Sequence, residues 1–471
     1  MRMFIGGEWV DRDRKREVDH PFDGSIVDTV PEADVDDVQT AIATAVQGAA
    51  IMAAMPAFDR YRGLMRAAAL IEERAEDFAR TITLESGKTI HEARAEAARA
   101  VQTLTLSAEE GRRLCGETLP LDAVPGGEGR LGFTLRVPCG VVVAITPFNF
   151  PLNLVCHKVG PALAAGNAVI VKPAEETPLS ALKLTEVLLE AGFPPEAVQC
   201  ITGEGETIGP PLVADPRVRK ISFTGSRAVG EQICRTAGLK RVTMELGSNS
   251  PLIILPDADL EKVAKVTAAN GYALAGQVCI SAQRVLVHSR VHADFLDALL
   301  PEVEAITTGD PFLETVRMGP MIRDEDAARV NAWIREAAEA GARIVAGGGR
   351  DGRLHEPTLL DDVNPQLRVS REELFGPAVA VTPFASIDEA IQIANQTRYG
   401  LSAGVFTQNV DWALRFAREV NSGNVMINWG PNWRADIMPY GGLKESGIGK
   451  EGPRYAIEEM TETKTIVFHP A

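Results

Sequence analysis

The sequence predicts an α/β protein of more than one domain. From residue 140, short β-branched runs alternate with helical stretches, the signature of βαβ units and a parallel sheet. A second alternating region, from about 251 to 428, carries enough strands for a sheet of its own. The length of 471 residues also exceeds what one hydrophobic core usually covers.

Taken in order, the chain opens on Met1 to Val10, where Gly6 and Gly7 between apolar residues read as a hairpin turn. Residues 35 to 55 and 58 to 114 have helical apolar spacing, with Asp34 placed to cap the first segment. Residues 117 to 138 read as a strand pair projecting from the main body. The runs 141–145, 168–171 and 198–201 are strands, separated by helical segments at 152–164 and 178–191. Strands at 251–255, 284–288 and 423–428 belong to the second sheet, and 463–468 has the composition of a terminal strand. Two exposed strands at 117–138 and 463–468 invite pairing across a subunit interface.

Composition excludes several classes. A net charge of −16 opposes phosphate-backbone binding, so no nucleic-acid partner is expected. The most apolar stretch, 140–156, is broken by Pro147, Asn149, Pro151 and Asn153, so no membrane partner is expected either. The first ten residues show no export signal, and six scattered cysteines without Cys-x-x-Cys suggest reduced thiols and a cytoplasmic location. The seven histidines form no zinc-spaced cluster, so no metal is expected.

Cys279, in Gly276-Gln277-Val278-Cys279, falls on a connection before a strand, although taken alone a cysteine is more often a buried core residue. Glu245 lies in an apolar strand-like run beside Gly247, where a carboxylate is either a paired structural charge or a base with a raised pKa. Asn149 ends the first β run, in a turn held between Pro147 and Pro151, and its amide suits a developing oxyanion. Phe223-Thr224-Gly225-Ser226-Arg227-Ala228-Val229-Gly230 leads a strand through glycine into a helix that presents N–H groups to phosphate, yet it lacks a full dinucleotide fingerprint.

These segments, together with Lys172-Pro173-Ala174-Glu175, Glu372-Glu373-Leu374-Phe375-Gly376-Pro377 and Pro439-Tyr440-Gly441-Gly442-Leu443-Lys444-Glu445-Ser446-Gly447, resemble the aldehyde dehydrogenase superfamily over nearly the whole chain. The resemblance implies a Rossmann-like NAD(P)-binding domain at 1–117 and 139–245, an α/β catalytic domain at 246–456, and β oligomerisation strands at 118–138 and 457–471. It implies a homodimer or homotetramer. Cys279 would be the nucleophile, Asn149 and the Cys279 backbone N–H the oxyanion donors, and Glu245 the base that hydrolyses a thioester. Lys172 and Glu175 would bind the adenine-side ribose, Ser226 and its helix the pyrophosphate, and Glu373 the nicotinamide ribose, with Phe375 near the ring. Thr146, Pro147, Phe148, Gly225, Gly230, Leu246 and Gly247 complete the implied cofactor contacts.

A carboxylate at 175 favours NAD over NADP, since it repels a 2′-phosphate. Ser248 departs from the usual second glycine after Glu245-Leu246-Gly247, and Val278 places an apolar group before the nucleophile. The nearest branch in character is that of lactaldehyde and non-phosphorylating glyceraldehyde-3-phosphate dehydrogenases, which implies a short-chain polar or anionic aldehyde. Arg112, Arg113, His157 and Arg434 are the candidate substrate residues, an arginine fork being suited to carboxylate, phosphate or sulfonate. The alternatives are a CoA-acylating dehydrogenase and an inactive cofactor-binding homologue.

Overall fold

The computed structural model describes residues 1–469. Near-continuous apolar runs such as Val141–Ile145 and Ala168–Lys172 are buried along their length, as strands covered on both faces by helices must be. They form the centre of an eight-stranded sheet. Its parallel core runs, in spatial order, Val198–Cys200, Ala168–Lys172, Val141–Ile145, Val218–Thr224 and Arg241–Glu245. Val141–Ile145 comes first in sequence but lies in the middle, so the chain winds outward in both directions and leaves a crevice beyond its carboxyl end. Two core clusters fill the two faces, one under the helices Ala57–Glu73, Ile90–Arg113 and Asn153–Ala164, the other under Val35–Ala54.

A seven-stranded sheet follows, in the order Arg343–Ala346, Thr358–Asp361, Ala378–Phe384, Arg284–His288, Pro251–Ile254, Ser402–Phe406 and Asn424–Ile427. All neighbours are parallel except the first pair. Gly447–Ile448, from inside the span 246–456, returns to pair with Arg241–Glu245 in the first sheet. The chain's last third therefore touches both sheets.

Asp34 caps Val35–Ala54 through a reciprocal bond with Asp37, as its position predicts. The helical span 58–114 breaks into three helices, at Arg74 and again at Gly87, whose φ of +71° ends Ala75–Ser86. The Gly6-Gly7 hairpin pairs Phe4 with Trp9. A second hairpin, Lys15–Asp19 with Ile26–Pro31, has no counterpart among the sequence expectations, because charged Lys-Arg-Glu-Val-Asp masks its period.

The strand pair expected within 117–138 is present but short. Within 117–138 only Thr118–Leu119 pairs with Leu131–Pro138. The main partner of Leu131–Pro138 is Thr461–Phe468, matched across all eight residues within one chain. The span 457–471 begins inside the helix Pro453–Glu459 rather than in a strand. Among the described residues no single helix is long and apolar enough to cross a membrane.

Candidate active site

A cavity of about 1280 Å³ opens beyond the carboxyl ends of the first sheet and reaches the second. Asn149, Glu245 and Cys279, more than thirty residues apart from one another in sequence, all line it.

Cys279 sits on a turn after Ala273–Gly276, where Leu274 and Ala275 have φ of 49° and 51°. Gly276 follows at φ +69°, and a Cβ there would lie 2.0 Å from the carbonyl oxygen of Gly376. Gln277 ties the turn down, its side chain donating to the Leu274 carbonyl (3.1 Å) and accepting from the Ile322 N–H (3.0 Å). An apolar cluster of Leu274, Val278, Ile280, Leu401 and Tyr440 surrounds the thiol. Burial pushes that thiol up to about 12, and the Tyr440 hydroxyl lies 3.3 Å from Sγ.

The Asn149 amide donates to the Gln277 carbonyl at 2.9 Å, two residues before Cys279, which leaves its second N–H for an incoming oxygen. Its turn is fixed less by the flanking prolines than by a buried pair. Lys88 Nζ donates to the Asn149 carbonyl (2.8 Å) and pairs with Glu96. Glu96 in turn accepts from the Leu152 and Asn153 N–H groups, satisfying the start of Asn153–Ala164.

Glu245 ends its strand with both carboxylate oxygens buried and without a hydrogen-bond partner. Burial and the charge of Glu451 raise its pKa well above the usual carboxylate range. An unsatisfied buried carboxyl costs stability, which marks Glu245 as held for a ligand or water rather than for packing. Ser248, the departure beside it, is accommodated: its N–H donates to Glu373 (3.0 Å) and its hydroxyl lies 3.2 Å from that of Ser250.

The crevice side fits a dinucleotide. Ser226 caps Arg227–Ala237, so the free N–H groups of that helix border the cavity. Thr146 Oγ1 is buried without a partner and lines the same wall. Glu373, raised to about 7 by burial, lies so near Gly247 that a Cβ there would meet its carboxylate at 2.2 Å. Phe148 and Phe375 meet edge to face at 5.9 Å. Pro147, Lys172, Gly225 and Leu246 also line the cavity, as does Glu175, which accepts from the Gly205 N–H (2.7 Å) and pairs with Arg16 (3.1 Å). Gly230 does not. A Cβ on it would strike Leu246 at 2.5 Å, so this glycine lets the helix pack closely on the strand end.

Of the four substrate candidates only Arg434 lines the cavity. Arg112 stacks on Tyr61 at 4.3 Å, and exposed Arg113 pairs with Glu109 and Glu110 on its own helix. Neither is a cavity residue. His157 stands behind the wall, 2.9 Å from Asp436 and 3.2 Å from Arg434, with its pKa lowered to about 4 by burial and by the neighbouring guanidinium.

Residues not singled out from the sequence complete the site. Glu451 joins Lys158 (2.7 Å) and Arg434 (3.2 Å), both of which keep it ionised against burial. Arg434 lies over the Tyr440 ring at 4.0 Å. Arg99 grips Asp436 with two hydrogen bonds of 2.7 and 3.2 Å. Asp436 alone carried a sequence hint, two places after Arg434.

A sequence model of the aldehyde dehydrogenase family matches residues 9–466. The 3-sulfolactaldehyde dehydrogenase of Priestia aryabhattai is 47% identical over 467 residues, covering 99% of this chain and 98% of the relative. The lactaldehyde dehydrogenase of Methanococcus vannielii is 38% identical over 471 residues, 99% of this chain and 100% of the relative. The crystal structure of glyceraldehyde-3-phosphate dehydrogenase GapN from Methanocaldococcus jannaschii, complexed with NADP, superposes with a TM-score of 0.94 at 36% identity, over 97% of this chain and 100% of that one.

Proposed function

This chain belongs to the aldehyde dehydrogenase family and is an NAD(P)-dependent oxidoreductase; from that premise we propose that it converts a short-chain polar or anionic aldehyde to its acid through a thioester on Cys279. The observation that carries this reading is the meeting of Cys279, the Asn149 amide and the unpartnered Glu245 carboxyl on one cavity wall that continues into the helix-capped crevice.

Cys279 Sγ attacks the aldehyde carbon, and its proton must leave because only the thiolate is a competent nucleophile. The free N–H of the Asn149 amide and the backbone N–H of Cys279 hold the oxyanion, a kind of interaction commonly worth about 3 kcal/mol. Bound NAD(P) supplies the acceptor for the hydride leaving that carbon. With the acyl group on sulfur, Glu245 in its ionised form takes a proton from water, and the hydroxide equivalent releases the acid. Burial among Leu274, Val278, Ile280 and Leu401 keeps stray water from the sulfur.

Lys172, Glu175, Ser226 and Glu373 border the crevice where the dinucleotide would lie, and the Glu175 carboxylate supports NAD over NADP. The three relatives are named for three-carbon 2-hydroxyaldehydes, and a buried Arg434 Nε without a partner supports an anionic member of that class. Six unpaired cysteines support a cytoplasmic setting, and the free edge of Thr461–Phe468 supports a homodimer or homotetramer. Neither a nucleic acid nor a membrane is proposed as a partner.

The test is product formation from short neutral and anionic aldehydes, with NAD or NADP, by the parent and by Cys279→Ser. Free acid and reduced cofactor from the parent alone support the reading. Acyl-CoA formed only when CoA is added would shift it to acyl transfer, and equal rates for Cys279→Ser would end it.

A further inference from the structure

Behind the cavity wall that holds Arg434 lies a row of charged groups that aldehyde oxidation at Cys279 does not itself require. Arg434 donates to Glu451, whose other oxygen takes Lys158. Arg99 uses Nε and Nη2 to hold Asp436, leaving Nη1 outside that fork. His157 joins the halves, in reach of both Asp436 and Arg434. Arg99 and Arg434 line the cavity; Asp436 and His157 do not.

The charges can be followed residue by residue. Lys158, Arg434 and Arg99 are cations, and two carboxylates face them directly, Glu451 and Asp436. Against the cost of burial, hydrogen bonds from His157 and Arg99 keep Asp436 ionised. His157 stays neutral because burial and Arg434 oppose its protonation. Glu245 is disfavoured as a carboxylate by burial and by Glu451. One positive charge is left without a counter-charge, and one buried donor, Arg434 Nε, is left without a hydrogen bond, its nearest carboxylate being Asp436 at 4.0 Å. A buried excess of positive charge is costly, and an anion delivered by the substrate removes that cost.

Resting on the proposed aldehyde oxidation, we propose that this wall is a receptor for a single negative charge on the aldehyde's tail, and that Asp436 sets the limit. By occupying Arg99, Asp436 withholds a second free cation, so a sulfonate or carboxylate is matched whereas a dianion brings one charge too many into a desolvated site. Asp436 is a positioning residue acting through Arg99, which it grips, and Arg434, whose Nε lies 4.0 Å from it, while His157 holds Arg434 through Nη2.

The experiment compares three aldehydes of one skeleton: lactaldehyde, 3-sulfolactaldehyde, and the phosphonate isostere of the latter, assayed above its second ionisation. The parent should use the sulfonate at least about tenfold better, in kcat/KM, than either other substrate. Asp436→Asn keeps the shape and removes the charge, and should shift the sulfonate-to-phosphonate ratio toward the phosphonate by about tenfold, in KM rather than kcat. Asp436→Glu should restore the parent ratio to within about threefold. A parent that takes the phosphonate as readily as the sulfonate overturns the proposal even if no variant folds. So does Asp436→Asn lowering all three substrates by one factor, which is the mark of a purely structural residue. Oxidation of lactaldehyde as fast as the sulfonate defeats the anion receptor and leaves aldehyde oxidation standing, whereas failure on all three substrates removes the underlying reading as well.

Discussion

As the proposed base, Glu245 would join two roles that conflict, since the burial that would tune it for proton transfer also makes its ionised form expensive. A raised folded pKa means that the native state binds more protons than the unfolded one, so this group's contribution to stability falls as pH climbs from the unfolded value through the folded one. Glu245→Gln keeps the shape without the charge. We expect it to slow acid release by about a hundredfold or more, with acyl-enzyme accumulating, and to melt at a higher temperature than the parent at pH 8 but not near pH 4. The parent's deacylation rate should rise with pH through the same ionisation; a flat profile would assign the base elsewhere. Asn149→Ala should lower kcat by about a hundredfold while sparing cofactor affinity, because it removes one oxyanion donor. That Cys279, Asn149 and Glu245 would share one cavity was legible because each sits in a recognisable local string. Glu451, Lys158 and Asp436 were not, since each matters through a partner more than a hundred residues away, apart from the nearby links of Glu451 and Asp436 to Arg434.

At the level of elements, sequence period was enough where burial is one-sided or complete, as in Val35–Ala54 or Val141–Ile145, and failed where charge covers the pattern, as in Lys15–Asp19. Arg112 and Arg113 show a related limit: a helix can be placed from its period, but which way its last turn points depends on what Ile90–Arg113 packs against. The turn carrying Cys279 is the element most exposed to a single change. Gly276 needs both its left-handed φ of +69° and the absence of a side chain facing the Gly376 carbonyl at 2.0 Å. Gly276→Ala should therefore destabilise the fold by about 1–3 kcal/mol and displace Cys279, seen as a drop in kcat larger than the change in melting temperature explains. A variant with parental kcat would show that the turn tolerates rearrangement.

Over the whole molecule, two mainly parallel sheets open onto one cavity, so Asn149, Glu245 and Cys279 come from both halves while the chain's last third links the two sheets. What lies outside that plan is the small sheet in which Thr461–Phe468 pairs with Leu131–Pro138. The sequence suggested two exposed strands seeking partners; they satisfy each other within one chain, yet Thr461–Phe468 remains an edge. Leu131, Leu135, Val467 and Phe468 are exposed along the pair, an unusual apolar load for a strand left in water. An edge of this kind is covered when a second copy adds its own strand by twofold symmetry. The chain of 50.6 kDa should then elute from size exclusion at two or four times its mass. Leu135→Asp with Val467→Asp should shift elution toward the monomer, because neither residue lines the cavity and each puts charge on the exposed apolar surface of this small sheet. Monomeric behaviour of the parent at micromolar concentration would mean that this edge stays in solvent, and the exposed side chains would then need another explanation.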